Sequence, residues 1–280
     1  MTQSVQVNFK AICVVLCIVI ILSVAYVWYP SKEDDISSSL MKDGDTKVQS
    51  MKRVEETSQT SWEDEKKKLF ADTNLSLKEE FIKVEGNDVF YREGKSVAAS
   101  VPKGTLLFLH GAAFQSETWS KLGTLHFMAN AGYRPIAIDL PGGKGKTKSF
   151  KVSSNDGFLL AVKEAFGLQD TPVIIISPSM SGSYSIPLLF SHPEAFKGYV
   201  PVAPTSTGSH SHEEYAKVKV PTCIIYGEED KGLGVESLGN LSGIPGSTVH
   251  VLKDAHHPAY LDDPKEFHRI LLEFTSGLYA

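Results

Sequence analysis

Short apolar runs alternate with stretches of helix-like spacing through the chain after residue 80. The apolar runs predict strands at residues 81–84, 89–92, 105–109, 134–139, 172–176, 199–202, 222–226 and 248–252. Apolar positions three or four residues apart predict helices at about 117–130 and 154–166, and Asp263-Pro264 predicts the start of a last helix. Apolar strands that alternate with helices form mostly parallel sheets. The pattern therefore predicts an α/β fold with helices on both faces and reactive residues in loops at the carboxyl ends of the strands.

A different pattern occupies the N-terminus, where residues 11–29 are uncharged and rich in Ile, Val and Leu. At about 1.5 Å per residue, a helix of this length nearly crosses a hydrocarbon core of about 30 Å. Aromatic residues gather at its downstream end, as they do at membrane interfaces, at Tyr26, Trp28 and Tyr29. We therefore predict an N-terminal tail at 1–10 and a transmembrane signal-anchor at 11–29. The small residues at 23–25 leave a cleaved signal peptide as the alternative.

The charges around this segment say little about its orientation, because Lys10 precedes it and both signs of charge follow at 32–35. We predict a single-pass type II arrangement, with the N-terminus cytosolic and the folded domain lumenal or extracellular. A cytoplasmic-facing domain is the alternative. Two N-x-[ST] sequons, at Asn74 and Asn240, fit a lumenal or extracellular domain and are predicted glycosylation sites.

Residues 30–77 are polar, with mixed charges at 63–68 and few large apolar side chains. Such a segment buries too little apolar surface to offset the entropy lost on ordering. We predict a polar stalk at 30–77, in which residues 62–70 could form a short charged helix. The folded domain is predicted at 78–280.

Composition limits the class of protein. A chain of 280 residues that is 42% hydrophobic can bury the core of one large domain. A net charge of −5 and a pI near 6.0 argue against a general nucleic-acid surface. Three cysteines, two of them in the apolar N-terminal segment, provide no disulfide framework, and Cys223 is expected to be a buried apolar residue.

The apolar run at 172–176 ends in the small residues Ser177-Pro178-Ser179-Met180-Ser181-Gly182, and helix-like spacing follows. A strand, a sharp turn with a central serine and a helix form the nucleophile elbow of an α/β hydrolase. Ser179 is the predicted nucleophile. Serines replace the usual glycines of G-x-S-x-G at 177 and 181, so an ordinary serine-rich turn is the alternative.

His110-Gly111 follows the buried strand at 105–109, where an α/β hydrolase forms part of its oxyanion hole. We predict that the backbone N–H groups of Ala112 and Met180 stabilise the oxyanion, the second with help from the dipole of the helix that starts there. A simple turn after a strand is the alternative reading.

A carboxylate and a histidine follow later strands, in the order Ser, acid, His of α/β hydrolases. Asp230 is the predicted acid, with Glu228 and Glu229 as alternatives in the same loop. His256 and His257 both lie beyond the last strand, and spacing alone leaves the choice between them open. Together with the elbow and the His-Gly turn, these residues predict the α/β-hydrolase fold.

Other candidates fit less well. The loop at 142–147 lacks the first glycine of a phosphate loop, because Leu140 holds that position, so we interpret it as a basic loop that could meet an anionic acyl carrier. His210 and His212 have no third metal ligand at suitable spacing. Asp139 and His126 are assigned structural roles. No metal or organic cofactor is predicted.

The chain also resembles a known family through its most specific motifs. These motifs are His110-Gly111, Ser116-Glu117-Thr118-Trp119, Leu122-Gly123-Thr124-Leu125-His126, Ala131-Gly132-Tyr133-Arg134, Ala137-Ile138-Asp139-Leu140-Pro141-Gly142, Ser177-Pro178-Ser179-Met180-Ser181-Gly182, Pro201-Val202-Ala203-Pro204 and His257-Pro258-Ala259-Tyr260-Leu261. They resemble the α/β hydrolase domain-containing protein 14 family over most of residues 80–278, and the N-terminal apolar segment resembles its membrane-anchored A form.

The resemblance implies that Ser179, Asp230 and His257 form the triad, and so favours His257 over His256. His256 stands where a glycine is common in the wider superfamily, so it is expected to contact or crowd the site.

These observations predict a membrane-anchored serine hydrolase that acts through an acyl-enzyme on a small acyl ester, thioester or amide. The short connection between the strands at 199–202 and 222–226 leaves little or no lid, and hence an open site. Transfer of the acyl group to a thiol such as coenzyme A is a variant. The alternative is a membrane-displayed interaction module with the same fold and little turnover, which the replaced glycines motivate. The expected partners are a small acylated substrate and the membrane, with no nucleic acid and any protein partner unidentified.

Overall fold

The computed structural model describes residues 62–98 and 101–279. The predicted tail, the predicted signal-anchor at 11–29 and most of the predicted stalk lie outside these residues. Within the described ranges, no helix combines the length and apolar character that a membrane crossing requires.

One mixed sheet of eight strands organises the described part of the chain. The strands are β1 (Leu75–Val84), β2 (Asn87–Ser96), β3 (Thr105–Phe108), β4 (Arg134–Ile138), β5 (Val173–Pro178), β6 (Phe196–Val202), β7 (Cys223–Gly227) and β8 (Thr248–Leu252). Their order is β1-β2-β4-β3-β5-β6-β7-β8. The pairs β1–β2 and β2–β4 are antiparallel, and every other pair is parallel. The predicted α/β-hydrolase fold is confirmed, and β5, which leads into Ser179, lies near the centre of the sheet.

Helices connect the strands and cover both faces. They are α1 (62–71), α2 (Ser116–Lys121), α3 (Thr124–Asn130), α4 (Asn155–Ala165), α5 (Gly182–Ser191), α6 (His212–Tyr215), α7 (Leu233–Leu241), α8 (Ala259–Asp262) and α9 (Pro264–Leu278). The helix predicted at 117–130 is two helices, because Gly123 has a φ of +88° and interrupts it. The pattern did not predict α6, α7 or α8, of which α6 and α8 are only four residues long.

The alternation of side chains along β5 explains why a continuous apolar run forms a strand. Ile174 and Ile176 face one cluster of core residues, which includes side chains of α2, α3 and α9. Val173 and Ile175 face the other, which includes side chains of α4 and α5. Because successive side chains of a strand point to opposite faces, a central strand covered on both faces is apolar at every position.

The described structure differs from the predicted domain boundary at residue 78. β1 begins at Leu75, and α1 packs on the domain through Trp62 and Leu69, which are 3% and 7% exposed. The Trp62 ring lies 4.4 Å from the ring of His268 in α9. Trp62 and Leu69 share one helix face and are buried together although the segment is mostly polar, whereas Phe70 is 48% exposed.

Burial of His268 gives the domain a pH-dependent stability. This side chain is 1% exposed beneath Trp62, its Nε2 lies 2.8 Å from Thr124 Oγ1, and burial lowers its pKa to about 3. In the unfolded chain the pKa is about 6.5, so below that pH the unfolded state binds a proton that the folded state does not. Stability is therefore lost as the pH falls below about 6.5.

We expect His268 to account for about 2 kcal/mol of the stability lost between pH 7 and pH 5. The measurement is the free energy of urea unfolding at both pH values. The His268→Gln variant should show a smaller pH difference by about that amount, whereas His212→Gln, at an exposed histidine, should behave as wild type. An unchanged pH difference in His268→Gln would contradict this account.

Candidate active site

The backbone turns sharply at Ser179, where β5 ends. A single 3₁₀ turn spans Ser179–Ser181, and α5 begins at Gly182. Ser179 has a φ of +50°, a left-handed conformation that costs a residue with a Cβ about 1–2 kcal/mol. Two hydrogen bonds from Thr205 hold the Ser179 carbonyl, one from the backbone N–H at 2.8 Å and one from Oγ1 at 3.2 Å. The strand, turn and helix predicted around Ser179 are present.

The glycine that this turn requires lies one position later than in the G-x-S-x-G pattern. A Cβ on Gly182 would overlap the carbonyl oxygen of Thr205, so only glycine lets α5 start this close to the loop after β6. Ser177 and Ser181, at the usual glycine positions, are fully buried. The replaced glycines therefore leave the sharp turn intact.

A continuous hydrogen-bonded series joins Ser179, His257 and Asp230. His257 Nε2 lies 2.9 Å from Ser179 Oγ, and His257 Nδ1 lies 2.6 Å from Asp230 Oδ2. The Asp230 side chain is 8% exposed and that of His257 is 39% exposed. A carboxylate only accepts hydrogen bonds, so Nδ1 carries the proton and Nε2 is left to accept one from Ser179. This arrangement can activate a serine hydroxyl.

Glycine contacts bring the acid loop and the histidine loop together. A Cβ on Gly227, at the end of β7, would overlap the carbonyl oxygens of Ala255 and His256. The N–H of Glu229 donates to the Ala255 carbonyl at 2.8 Å, and the N–H of Asp230 donates to the Gly227 carbonyl at 2.9 Å. The loops after β7 and β8 therefore pack directly on each other, which sets the distance between Asp230 and His257.

The alternative acids and the alternative histidine have other partners. Glu228 accepts from the N–H of Asp254 at 3.1 Å, and Glu229 is an exposed partner of Lys231 at 3.8 Å. His256 is 74% exposed, and its backbone N–H donates to Asp262 Oδ2 at 2.6 Å. The His256 side chain is expected to contact or crowd the site; in the structure its Nδ1 lies 3.3 Å from the same Asp262 oxygen.

The loop after β3 lies against Ser179. A Cβ on Gly111 would lie 3.3 Å from Ser179 Cβ and 3.7 Å from Ser179 Oγ. Ala112 follows on the exposed side of this loop, and Met180 begins the turn after Ser179. Among the turn and loop hydrogen bonds of the described residues, none is donated to a backbone carbonyl by the N–H of Ala112 or Met180.

His110 holds this loop and takes no proton from the site. It is 1% exposed, its Nε2 accepts from the N–H of Leu140 at 2.9 Å, and its Nδ1 donates to the Gly111 carbonyl at 2.9 Å. Burial lowers its pKa, which keeps the ring neutral. These two bonds tie the ends of β3 and β4 together beside Ser179.

Asp139 organises the loop at 142–147, which the sequence analysis compared with a phosphate loop. Its carboxylate is fully buried and accepts from the N–H of Ser116 and of Lys146, both at 2.7 Å. A Cβ on Gly145 would overlap this carboxyl group. The loop thus folds around a negative charge of the protein itself, which disfavours phosphate binding there.

The remaining candidate histidines have structural surroundings. His126 is half-buried, its pKa is lowered by burial, and its ring lies 4.8 Å from that of Phe70. His210 stacks on Phe190 with ring centroids 3.6 Å apart. Among the described residues, no group of three or more His, Cys, Asp or Glu is arranged to hold a metal ion.

The two predicted glycosylation sites differ in access. Asn74 is exposed in the turn before β1. Asn240 is half-buried in α7, and its Nδ2 donates to Thr207 Oγ1 at 3.1 Å. The Asn74 amide also donates a hydrogen bond, to Asp72 Oδ1 at 3.0 Å, so the two sites differ in exposure and not in bonding.

The central parallel sheet, the helices on both faces and the turn at Ser179 define an α/β hydrolase. The crystal structure of a "predicted CIB-like hydrolase" from Thermoplasma acidophilum superposes with a TM-score of 0.64 at 27% identity, over 72% of this chain and 98% of that chain. No family model matches the chain.

Sequence relatives give the family. The chain is 42% identical over 211 residues to the Rattus norvegicus protein named "Putative protein-lysine deacylase ABHD14B", which covers 73% of this chain and 99% of the relative. It is 41% identical over 191 residues to "Protein ABHD14A" of Mus musculus, which covers 68% of this chain and 77% of the relative. The chain belongs to the ABHD14 family of α/β hydrolases and is an enzyme of the hydrolase class.

Sequence reasoning missed two residues that shape the site, Thr205 and Gly234, and named Gly182 without giving it a role. A Cβ on Gly234, in the first turn of α7, would lie 2.9 Å from both Cβ and Cγ of Asp230. Gly234 therefore makes room for the acid. The sequence does show a glycine four residues after Asp230. That glycine is informative only once α7 is known to fold back over Asp230.

We expect Gly234→Ala to displace Asp230 and to lower kcat for a small chromogenic acetate ester by about 100-fold, because small errors in placement are costly in catalysis. Gly239→Ala is the matched control in the same helix, where a Cβ would meet nothing within 4 Å. That variant should keep wild-type turnover and gain about 0.5–1 kcal/mol of stability. Equal turnover in the two variants would contradict the role of Gly234.

Proposed function

We propose that the protein is a serine acyl hydrolase in which Ser179 is the nucleophile, His257 the general base and Asp230 the residue that orients His257. The observation that carries this proposal is the pair of short hydrogen bonds at 2.9 and 2.6 Å that joins the three side chains. The strained φ of Ser179 supports it, since strain in a well-ordered turn is typical of this nucleophile.

In the first half of the reaction, Ser179 Oγ attacks the substrate carbonyl carbon while its proton moves to His257 Nε2. Asp230 stabilises the imidazolium, and the N–H groups of Ala112 and Met180 stabilise the oxyanion. His257 then gives the proton to the leaving amine, alcohol or thiol, and an acyl-enzyme remains. Water attacks this ester with His257 again as base, which releases the carboxylic acid and restores Ser179.

The proposed substrates carry small acyl groups on an ester, thioester or amide, with acyl-lysine side chains of proteins as a specific case. The name of the ABHD14B relative supports the lysine case. Access also supports it, because the connection between β6 and β7 holds only the 3₁₀ turn Thr207–Ser209 and α6 as regular structure. An acyl-lysine on a protein surface needs such an open entrance. A thiol such as coenzyme A could replace water as the acceptor.

We also propose that residues 11–29 anchor the protein in a membrane, as in the A form of the family, with the hydrolase domain on the lumenal or extracellular side. The length and apolar character of this segment support the proposal. Glycosylation is proposed at Asn74 and Asn240, and Asn74 is the more exposed of the two.

A fluorophosphonate probe tests the nucleophile. Wild type should be labelled, Ser179→Ala should not, and labelling of His257→Ala should be slower by about 1,000-fold or more, because the hydroxyl then lacks its base. His256→Ala, which changes the exposed neighbour, should be labelled at the wild-type rate. A folded wild type that resists the probe would sink the hydrolase mechanism and favour the interaction module.

A second experiment tests the substrate class. We expect wild type to release acetate from a peptide with one Nε-acetyl-lysine, and Ser179→Ala to release none, as measured by mass spectrometry of the peptide. Added coenzyme A should yield the acetyl thioester if a thiol is the acceptor. Hydrolysis of acetate esters without any action on the peptide would exclude lysine deacylation and leave the serine hydrolase mechanism standing.

A further inference from the structure

Four buried hydroxyl groups form a connected series beneath the turn at Ser179. Tyr199 Oη lies 2.9 Å from Ser185 Oγ, which lies 2.7 Å from Ser177 Oγ. Ser177 Oγ lies 3.0 Å from Ser181 Oγ, and Ser181 Oγ donates to the Pro178 carbonyl at 2.7 Å. All four side chains are fully buried. We call these four residues the hydroxyl network.

The last bond sets the direction of every other bond in the hydroxyl network. A carbonyl only accepts, and each hydroxyl has one proton to donate. Ser181 gives its proton to Pro178, so it must accept from Ser177. Ser177 in turn must accept from Ser185, and Ser185 must accept from Tyr199. One orientation therefore satisfies all four donors, and hydrogen bonds aligned in this way strengthen one another.

The Pro178 carbonyl belongs to the peptide plane that enters Ser179. A peptide unit is rigid, so the bond that holds this carbonyl also orients the backbone nitrogen of Ser179. The φ of +50° at Ser179 is the rotation about the bond from this nitrogen to Cα. The next peptide plane is held by Thr205, which binds the Ser179 carbonyl and so aims the Met180 N–H in the opposite direction. The peptide planes before and after Ser179 are thus held by Ser181 and by Thr205, neither of which belongs to the proposed triad.

We propose that the hydroxyl network positions Ser179 for attack, and that serine replaces glycine at 177 and 181 because each supplies a hydroxyl to this network. Tyr199, Ser185, Ser177 and Ser181 are positioning residues, since they act through the Pro178 peptide and do not touch a substrate. The inference rests on the proposed role of Ser179 as nucleophile.

The effect of losing a hydroxyl should decrease with its distance from Pro178. Ser181→Ala removes the bond to the carbonyl, and we expect it to lower kcat for the acetate ester by about 10-fold, the equivalent of one net hydrogen bond, with KM changed less than about 2-fold. Ser177→Ala should have an intermediate effect, and Tyr199→Phe the smallest. The second-order rate of fluorophosphonate labelling should follow the same order.

Tyr215→Phe is the matched control for Tyr199→Phe. Tyr215 is also fully buried, and its hydroxyl donates to the carbonyl of Thr207 at 2.8 Å, away from the hydroxyl network. It should keep wild-type kcat and labelling rate. Because the network acts as a unit, Ser181→Ala combined with Tyr199→Phe should be no slower than Ser181→Ala, whereas effects at independent sites add.

Crystal structures of wild type and Ser181→Ala test the inference without any turnover. We expect the Pro178 carbonyl to rotate and Ser179 to leave the left-handed region in the variant. If wild type is not labelled, the proposed function fails, and these structures still decide whether the network holds the turn. An unchanged turn in Ser181→Ala, or a wild-type labelling rate for that variant, would overturn the inference. An equal loss of activity in Tyr215→Phe would do the same.

Discussion

The structure around the candidate site depends on one strained residue. Ser179 has a φ of +50° although it carries a Cβ, and a short loop could not keep it there unaided. Central placement of β5 supplies a rigid approach, and Gly182 lets α5 start against the loop after β6. Thr205 then binds the carbonyl on the far side. The strain persists because the surrounding fold determines both peptide planes.

Close backbone approach is the second requirement, and glycine meets it at each loop of the site. Gly111 brings the loop after β3 against Ser179, Gly227 brings the loops after β7 and β8 together, and Gly234 leaves room for Asp230. Parallel strands deliver these loops to one edge of the sheet. The site is therefore an assembly of four loops that approach closely where glycine leaves room.

Buried polar groups near the site serve structure when all their hydrogen bonds are made within the fold. His110 and Asp139 have residue types that suit catalysis, yet each is buried and bonded to backbone groups of neighbouring loops. His257 differs because one ring nitrogen meets Asp230 while the other faces the serine hydroxyl at the surface. Partner and exposure, more than residue type, distinguish His257 from the buried histidine His110.

Local patterns in the sequence determined the strands, the turn at Ser179 and the order of serine, acid and histidine, because side-chain alternation and turn composition are short-range properties. Spacing did not separate His256 from His257, or Asp230 from its acidic neighbours, since side-chain direction in a loop depends on distant contacts. Docking of α1 through Trp62, the contact of Asn240 with Thr207 and the hydroxyl network from Tyr199 to Pro178 were decided by tertiary structure alone. Each of these contacts joins residues far apart in sequence. Local sequence patterns do not show which distant residues come together.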